Sequence, residues 1–389
     1  MNDALLEDLN LDWYEKPADA PEVSDFTQGA DNGLTFSGMR LIPWEDEDTW
    51  NKFIDQLTVD EMASLLMDSR GSNPIESIAM PAAGRTDDNS GFGPLISEGT
   101  NGIKWVTEPI TARTWNKDLF ESRGRVMGIE ATFCGLTEIW YGGGNIHRTP
   151  VGGRNWQYYS EDGNFGYIIG TYEAKGMQAQ GVIYCPKHFV LNDQETFREG
   201  ISTFANEQSI REIYMRAFEG SLAEGDSLGV MTAYNRIGVM YAAANQGIQH
   251  ILRDEWNYGG YIIDDALTAS EYSPAPEMLM AGNNIFCLDT ARPTEIEKLI
   301  TSTDDGDLLQ KVIDSNHYLY YVMLQSSMGG SGAEDVVVSD AAPWWQTTLR
   351  ALDVVFCALA VAAVVMYVLH TYTDVFSEEK RKNRAAKKN

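Results

Sequence analysis

ILRDEWNYGGYIIDD, residues 251–265, passes from helix to strand and ends on two acids. Helical character runs from Ile248 to Trp256, a short β-rich segment covers Tyr261 to Ile263, and Asp264 and Asp265 close it. The same alternation recurs upstream. Gly181 to Tyr184 and Leu228 to Met231 read as strands, whereas Trp115 to Ala131 and Glu207 to Glu224 read as helices. Strand, loop, helix, strand is the rhythm of a parallel α/β fold, and in a barrel of such units the chemistry gathers on loops at the C-terminal ends of strands. Nearer the start, Trp50 to Asp68 has apolar residues at helical spacing, with Thr58 and Glu61 related as in a capping box, and predicts one helix.

At 389 residues the chain has room for one barrel of about 250 to 300 residues with short extras. Apolar residues make up 43% and charged residues 22%, which suits a globular protein with a sizeable core. The net charge of −28 is spread along the chain, so nucleic acid is not an expected partner, because phosphate binding needs clustered Lys and Arg. Cys134, Cys185, Cys287 and Cys357 lie far apart without a CxxC pair, which predicts neither disulfides nor a metal site. No cofactor is expected.

Residues 1–33 are acidic, interrupted by Pro17 and Pro21, and read as a linker or the remnant of an upstream domain, with no signal peptide. A barrel is expected over 34–330 and a juxtamembrane linker over 331–350. Residues 351–372, ALDVVFCALAVAAVVMYVLHTY, are long and apolar enough to cross a bilayer at about 1.5 Å per residue. Trp344, Trp345, Tyr367 and Tyr372 flank or end this run, and the tail 373–389 carries Lys380, Arg381, Lys382, Arg384, Lys387 and Lys388. The basic tail is expected in the cytoplasm and the barrel outside it. That orientation needs an export signal, so the chain is expected to be a fragment of a longer protein.

Cleaving a glycosidic bond with retention takes two carboxyl groups roughly 5 Å apart, a nucleophile beneath the anomeric carbon and an acid above the leaving oxygen. Asp264 and Asp265 end a hydrophobic run, where such a nucleophile belongs; a strand-end acid also serves as a helix cap. The loop GRNWQYYSED, residues 153–162, combines planar rings with Arg154, whose guanidinium can fork onto hydroxyls or form a structural ion pair. Lys187 and His188 follow a short β run, where both can donate to sugar oxygens, although His188 could equally be a core histidine.

In their order these segments resemble glycoside hydrolase family 3, from about Leu34 to Gly329. The likeness rests on Asn101-Gly-Ile103, Thr114-Trp-Asn116, Asn145-Ile-His-Arg148, the GRNWQYYSED loop, KHFVLNDQET (187–196), EQSIREIYMRAFE (207–219), VMTAYN (230–235) and the opening stretch 251–265. It implies a (β/α)8 TIM-like barrel and a β-glucosidase type of activity on terminal sugars of β-linked glycosides or oligosaccharides. Position by position, the resemblance makes Asp265 the nucleophile and gives Arg154, Lys187 and His188 to the terminal sugar. It sets Tyr234 beside the nucleophile, Met231 in the same pocket, and Glu98 where the family's Asp-Gly-Pro-x-Gly has a sugar-gripping aspartate. Four positions depart from the pattern: Glu98 for that aspartate, Gln157 for glutamate, Asp264 for Ser or Thr, and Ala266 for an aromatic. In the glucosidase branch the acid/base resembles a glutamate on a sandwich-like domain, so a further domain or partner chain is expected to supply it. The histidine-bearing loop of the N-acetylglucosaminidase branch is replaced by KHFVLNDQETFRE, which has no histidine after His188. The departures keep a second reading open, a catalytically impaired, membrane-tethered sugar-binding relative.

Overall fold

The computed structural model describes residues 13–68, 71–87, 91–92, 102–198, 201–266, 274–287, 291–329 and 344–387. The chain divides into two compact units, 1–336 and 337–389.

In the first unit the strands are, in chain order, β1 (Met67–Asp68), β2 (Arg85–Asp87), β3 (Glu138–Gly143), β4 (Ile183–Lys187), β5 (Ser202–Thr203), β6 (Gly229–Met231), β7 (Arg236–Ile237), β8 (Met240–Tyr241), β9 (Tyr261–Ile263) and β10 (Phe286–Cys287). β2, β3 and β4 pair in parallel, and a parallel bridge from Phe189 to Thr232 carries the sheet on to β6. β6 pairs in parallel with β9, Ile263 bridges to Ile285 ahead of β10, and β10 pairs in parallel with β1. These seven parallel strands, among the described residues, build the TIM-like barrel, with helices Lys117–Phe133, Gly163–Gln178 and the helical run 207–224 between them. The remaining strands, β5, β7 and β8, form a small sheet on the loops that leave β4 and β6 at their C-terminal ends.

Strands β3, β4, β6, β9 and β10 are buried on both faces, as parallel strands covered by helices must be. Their side chains alternate between two environments with the period of a strand. Trp140, Ile183, Cys185, Met231, Tyr261 and Ile263 belong to one core cluster. Their neighbours Val230 and Ile262 pack with Phe189 and Phe218, while Ile139, Tyr141 and Tyr184 pack with Met127 and Met177. Bonded to Trp140 and Tyr261 of the first cluster is a buried ion pair, in which Arg85 Nε lies 2.6 Å from Glu138 Oε2. Trp140 Nε1 donates to Glu138 Oε1 at 2.7 Å, and the Tyr261 hydroxyl donates to the same oxygen, so the charge is compensated where water is excluded.

One expectation is corrected. The single helix expected from Trp50 to Asp68 is two helices, Glu47–Ile54 and Val59–Leu65, followed by β1. Thr58 is extended, with φ −86° and ψ 163°, and exchanges hydrogen bonds with Glu61. The capping box therefore opens the second helix, and the turn at 55–57 keeps one apolar face on the core from both sides: Trp50, Phe53 and Ile54 from the first helix, Met62 and Leu65 from the second.

The second unit contains the 43-residue helix Trp344–Ala386, which extends past both ends of the apolar run 351–372. By length and composition it can cross a membrane.

Candidate active site

Three strand ends converge on Asp265. β4 delivers Lys187 and then His188, β2 delivers Asp87, and β9 delivers Asp264 and Asp265. Lys187 is almost fully buried and forms an ion pair with Asp87 through Nζ and Oδ1. The backbone N–H of His188 donates to Asn145 Oδ1 at 2.8 Å, which fixes the start of the loop that leaves β4.

The loop 151–158 lies over the His188 ring. Arg154 Nη1 is 2.8 Å from Nε2 of His188, and the Tyr158 hydroxyl is 3.2 Å from Nδ1. A guanidinium can only donate, so Nε2 accepts and the proton sits on Nδ1. Burial, reinforced by the positive charges of Arg154 and Lys187, pushes the His188 value well below the usual imidazole range and keeps the ring neutral.

Asp265 Oδ1 accepts the N–H of Ala266 at 2.8 Å. Its Oδ2 is 3.3 Å from His188 Nε2, an atom that already accepts from Arg154, and among the described residues no aligned donor meets that buried oxygen. Burial pushes the Asp265 carboxyl up to about 7 against the pull of Arg154 and Lys187, with Asp87 adding to the rise. A carboxyl so placed loses solvation without gaining a full set of hydrogen bonds, and a substrate atom can take the free position.

Glu195 ties the surrounding loops together. Its Oε1 is 2.8 Å from Arg154 Nε, and its Oε2 accepts from Arg198 Nη1 at 2.9 Å. Asn192 Nδ2 donates both to Glu195 Oε1 at 3.2 Å and to the Tyr158 hydroxyl at 2.9 Å. The Arg198 guanidinium lies 4.1 Å from the centre of the Tyr234 ring, and the Tyr234 hydroxyl donates to the Ala266 carbonyl. Burial and the nearby Asp265 charge push the Tyr234 value up, so the phenol keeps its proton.

Of the residues singled out in the sequence, Asp265, Arg154, Lys187, His188 and Tyr234 thus come together. Met231 is paired with Ile263 in the barrel and buried in the interior core, where its carbonyl accepts from Phe189 N–H at 2.7 Å. Glu98 lies outside the described residues. Asp264 turns the other way, and its Oδ1 accepts the Cys287 N–H at 2.6 Å, so it serves β10 and leaves the pocket to Asp265. Sequence reasoning did not single out Asp87, Glu195 or Arg198. Glu195 lies inside the quoted motif KHFVLNDQET and Arg198 two residues beyond it, which was a usable signal. Asp87 gave none, because β2 is three residues long and shows no strand period.

Comparison with known proteins gives this geometry a family. The family model "Glycosyl hydrolase family 3 N terminal domain" matches residues 58–318. Thermostable beta-glucosidase B of Acetivibrio thermocellus is 31% identical over 225 residues, covering 55% of this chain and 30% of that protein. Beta-glucosidase B of Emericella nidulans is 29% identical over 268 residues, 67% of this chain and 31% of that one. Among solved structures, beta-glucosidase 3B from Thermotoga neapolitana in complex with glucose superposes with a TM-score of 0.66 at 28% identity, over 73% of this chain and 43% of its own. The chain therefore spans about a third of the length of these curated relatives. Between its barrel and the family model that covers most of it, the chain belongs to glycosyl hydrolase family 3, through that family's N-terminal domain.

Proposed function

We propose that this barrel is the sugar-cleaving domain of a retaining β-glycosidase acting on terminal β-glucosides, with Asp265 as nucleophile. The observation that carries the reading is the Asp265 carboxyl itself, held at a strand end, with one oxygen tied to Ala266 and the other buried and facing the group formed by Arg154, His188 and Lys187. In the proposed mechanism Arg154 and Lys187 donate to hydroxyls of the terminal sugar and set its anomeric carbon over Asp265, while neutral His188 accepts from Arg154 and holds the guanidinium in place. Oδ2 attacks that carbon, the bond to the leaving oxygen breaks with its electron pair, and a glycosyl ester on Asp265 forms. Water then hydrolyses the ester and the carboxylate is regenerated. The proton for the leaving oxygen comes from a carboxyl on a further domain, on a partner chain, or elsewhere in this chain. The relatives' printed names, beta-glucosidases throughout, support the same substrate class.

Asp265→Ala is expected to abolish turnover of an aryl β-glucoside and covalent labelling by a 2-fluoro sugar. Labelling that persists in the variant would remove Asp265 from this role.

The domain plan is proposed in the same way: linker 1–33, barrel 34–330, linker 331–350, membrane span 351–372 and basic tail 373–389, with the tail in the cytoplasm and the barrel on the other side. The exposed apolar faces of Val354, Phe356, Leu359, Val361, Val364 and Leu369, followed by the Lys and Arg of the tail, support the span.

A further inference from the structure

A cavity of about 390 Å³ lies at the far end of the strand that carries Asp265. Trp44, Arg253, Lys311, Asp314, His317 and Tyr318 line it, and none of the residues of the Asp265 site does. Arg253 sets its place. Nη1 donates to the carbonyls of Tyr258 at 2.7 Å and Gly260 at 2.6 Å, just ahead of β9, whereas Asp265 stands beyond the other end of β9. Barrel enzymes keep their chemistry at the C-terminal strand ends, so a cavity at the opposite end is a separate place for a ligand.

The Arg253 guanidinium is only partly used. Besides the two carbonyls, it gives one N–H of Nη2 to Asn284 Oδ1 at 2.9 Å. Among the described residues no acceptor meets Nε–H or the second N–H of Nη2, and no carboxylate forms an ion pair with the group. The Tyr318 ring braces it, with the guanidinium carbon 4.1 Å from the ring centre. Two unfilled N–H groups on a cation without a counter-ion suit an oxyanion, whose paired oxygens match the guanidinium fork. Elsewhere in the lining, Lys311 Nζ is 3.6 Å from Asp314 Oδ2, so those two charges offset each other. Trp44 touches two further rings, stacked on His317 at 3.9 Å and tilted against Tyr318 at 4.7 Å. Burial pulls the His317 value down to about 4, which keeps that ring neutral at pH 7. Arg253 and Lys311 against Asp314 leave the lining one net positive charge, in a chain whose total is −28.

We propose that this cavity binds a small aromatic carboxylate, with the carboxylate on the free N–H groups of Arg253 and the ring against the wall of Trp44, Tyr318, Leu279 and Met280. A monoanion matches the single net charge. A phosphate monoester, at about −1.5 to −2, would bring further negative charge toward Asp314 and toward Glu45 and Glu47, which line the adjoining cavity beyond Trp44. The volume falls in the range that holds one small molecule. The site does not depend on the glycosidase reading.

Calorimetry on the full chain in detergent tests this with sodium benzoate, benzamide and phenyl phosphate. Benzoate is expected to bind about tenfold more tightly than benzamide, its uncharged counterpart, and several-fold more tightly than phenyl phosphate. Arg253→Lys keeps the charge without the fork and should lower benzoate affinity about tenfold. Lys311→Gln removes a half-exposed charge and leaves Asp314 unopposed, so it should weaken benzoate several-fold and keep benzamide within about twofold. Being half-exposed, Lys311 carries the test even where Arg253→Lys fails to fold. No binding up to about 10 mM benzoate, equal affinities for benzoate and benzamide, or phenyl phosphate as the tightest of the three would each overturn the assignment. So would variants that keep the wild-type affinity for benzoate. Competition between benzoate and methyl 1-thio-β-D-glucoside, an uncleaved occupant of the Asp265 pocket on the proposed reading, would place benzoate in that pocket and overturn it as well.

Discussion

Asp265 carries an opposition between stability and chemistry that can be measured. Burial lifts its carboxyl from 3.8 to about 7, so the folded chain holds that proton more tightly than the unfolded one. The associated stability is complete below about pH 3.8 and drains away as pH rises through 7. Asp265→Asn should therefore stabilise the fold at pH 8, by up to about 4 kcal/mol, and change little at pH 4. Urea denaturation at the two pH values checks this, and an equal effect at both would show that the charge is not buried. In the proposed mechanism attack requires the carboxylate, so kcat/KM for an aryl β-glucoside is expected to fall about tenfold per pH unit below pH 7. Glu195→Gln should lower kcat/KM by roughly 10- to 100-fold, because Arg154 and Arg198 lose the anion that orients both. Glu195→Asp should recover part of the loss, a rescue that a mere folding defect would not show.

Helices and strands set where these side chains can stand. Helices Lys117–Phe133 and Gly163–Gln178 touch backbone to backbone: a Cβ at Gly124 would come within 2.2 Å of the Glu173 carbonyl, and one at Gly176 within 2.1 Å of the Glu121 carbonyl. Gly124→Ala should separate the pair and cost about 1 to 3 kcal/mol, read as a lowered melting temperature. Thr58→Ala should cost about 1 kcal/mol through loss of the cap, with thioglucoside affinity unchanged. What the sequence showed at this level followed from period and punctuation. Tyr261 to Ile263 is a strand as read, because an unbroken apolar run buried on both faces is visible without tertiary knowledge. The reading of Trp50 to Asp68 failed where Thr58 interrupts the helix, because the apolar spacing resumes in phase on the far side of the break. Asp265, Arg154, Lys187 and His188 were legible through motifs. Asp87 and the Arg154–Glu195 link were not, since each joins segments 41 or more residues apart, a distance at which no local pattern constrains pairing.

The molecule as a whole pairs an acidic barrel unit with a helix able to cross a bilayer. If that helix spans, the chain should remain with membranes through alkaline carbonate washing and enter the soluble fraction once 351–372 is deleted. Added protease should reach the basic tail and the barrel from opposite sides of a sealed vesicle. The aspartate doublet has a consequence for assembly itself. Asp264 staples β9 to β10 through the Cys287 N–H, while Asp265, one residue on, faces the pocket. Successive strand residues point to opposite sides, so a slip of one position would exchange the two acids. The wrong carboxylate would then meet the sugar, and the right one would be spent as a strand tie. On the proposed reading, accuracy of pairing between two short strands is thus the same quantity as possession of a nucleophile, and a misregistered barrel would be a silent one.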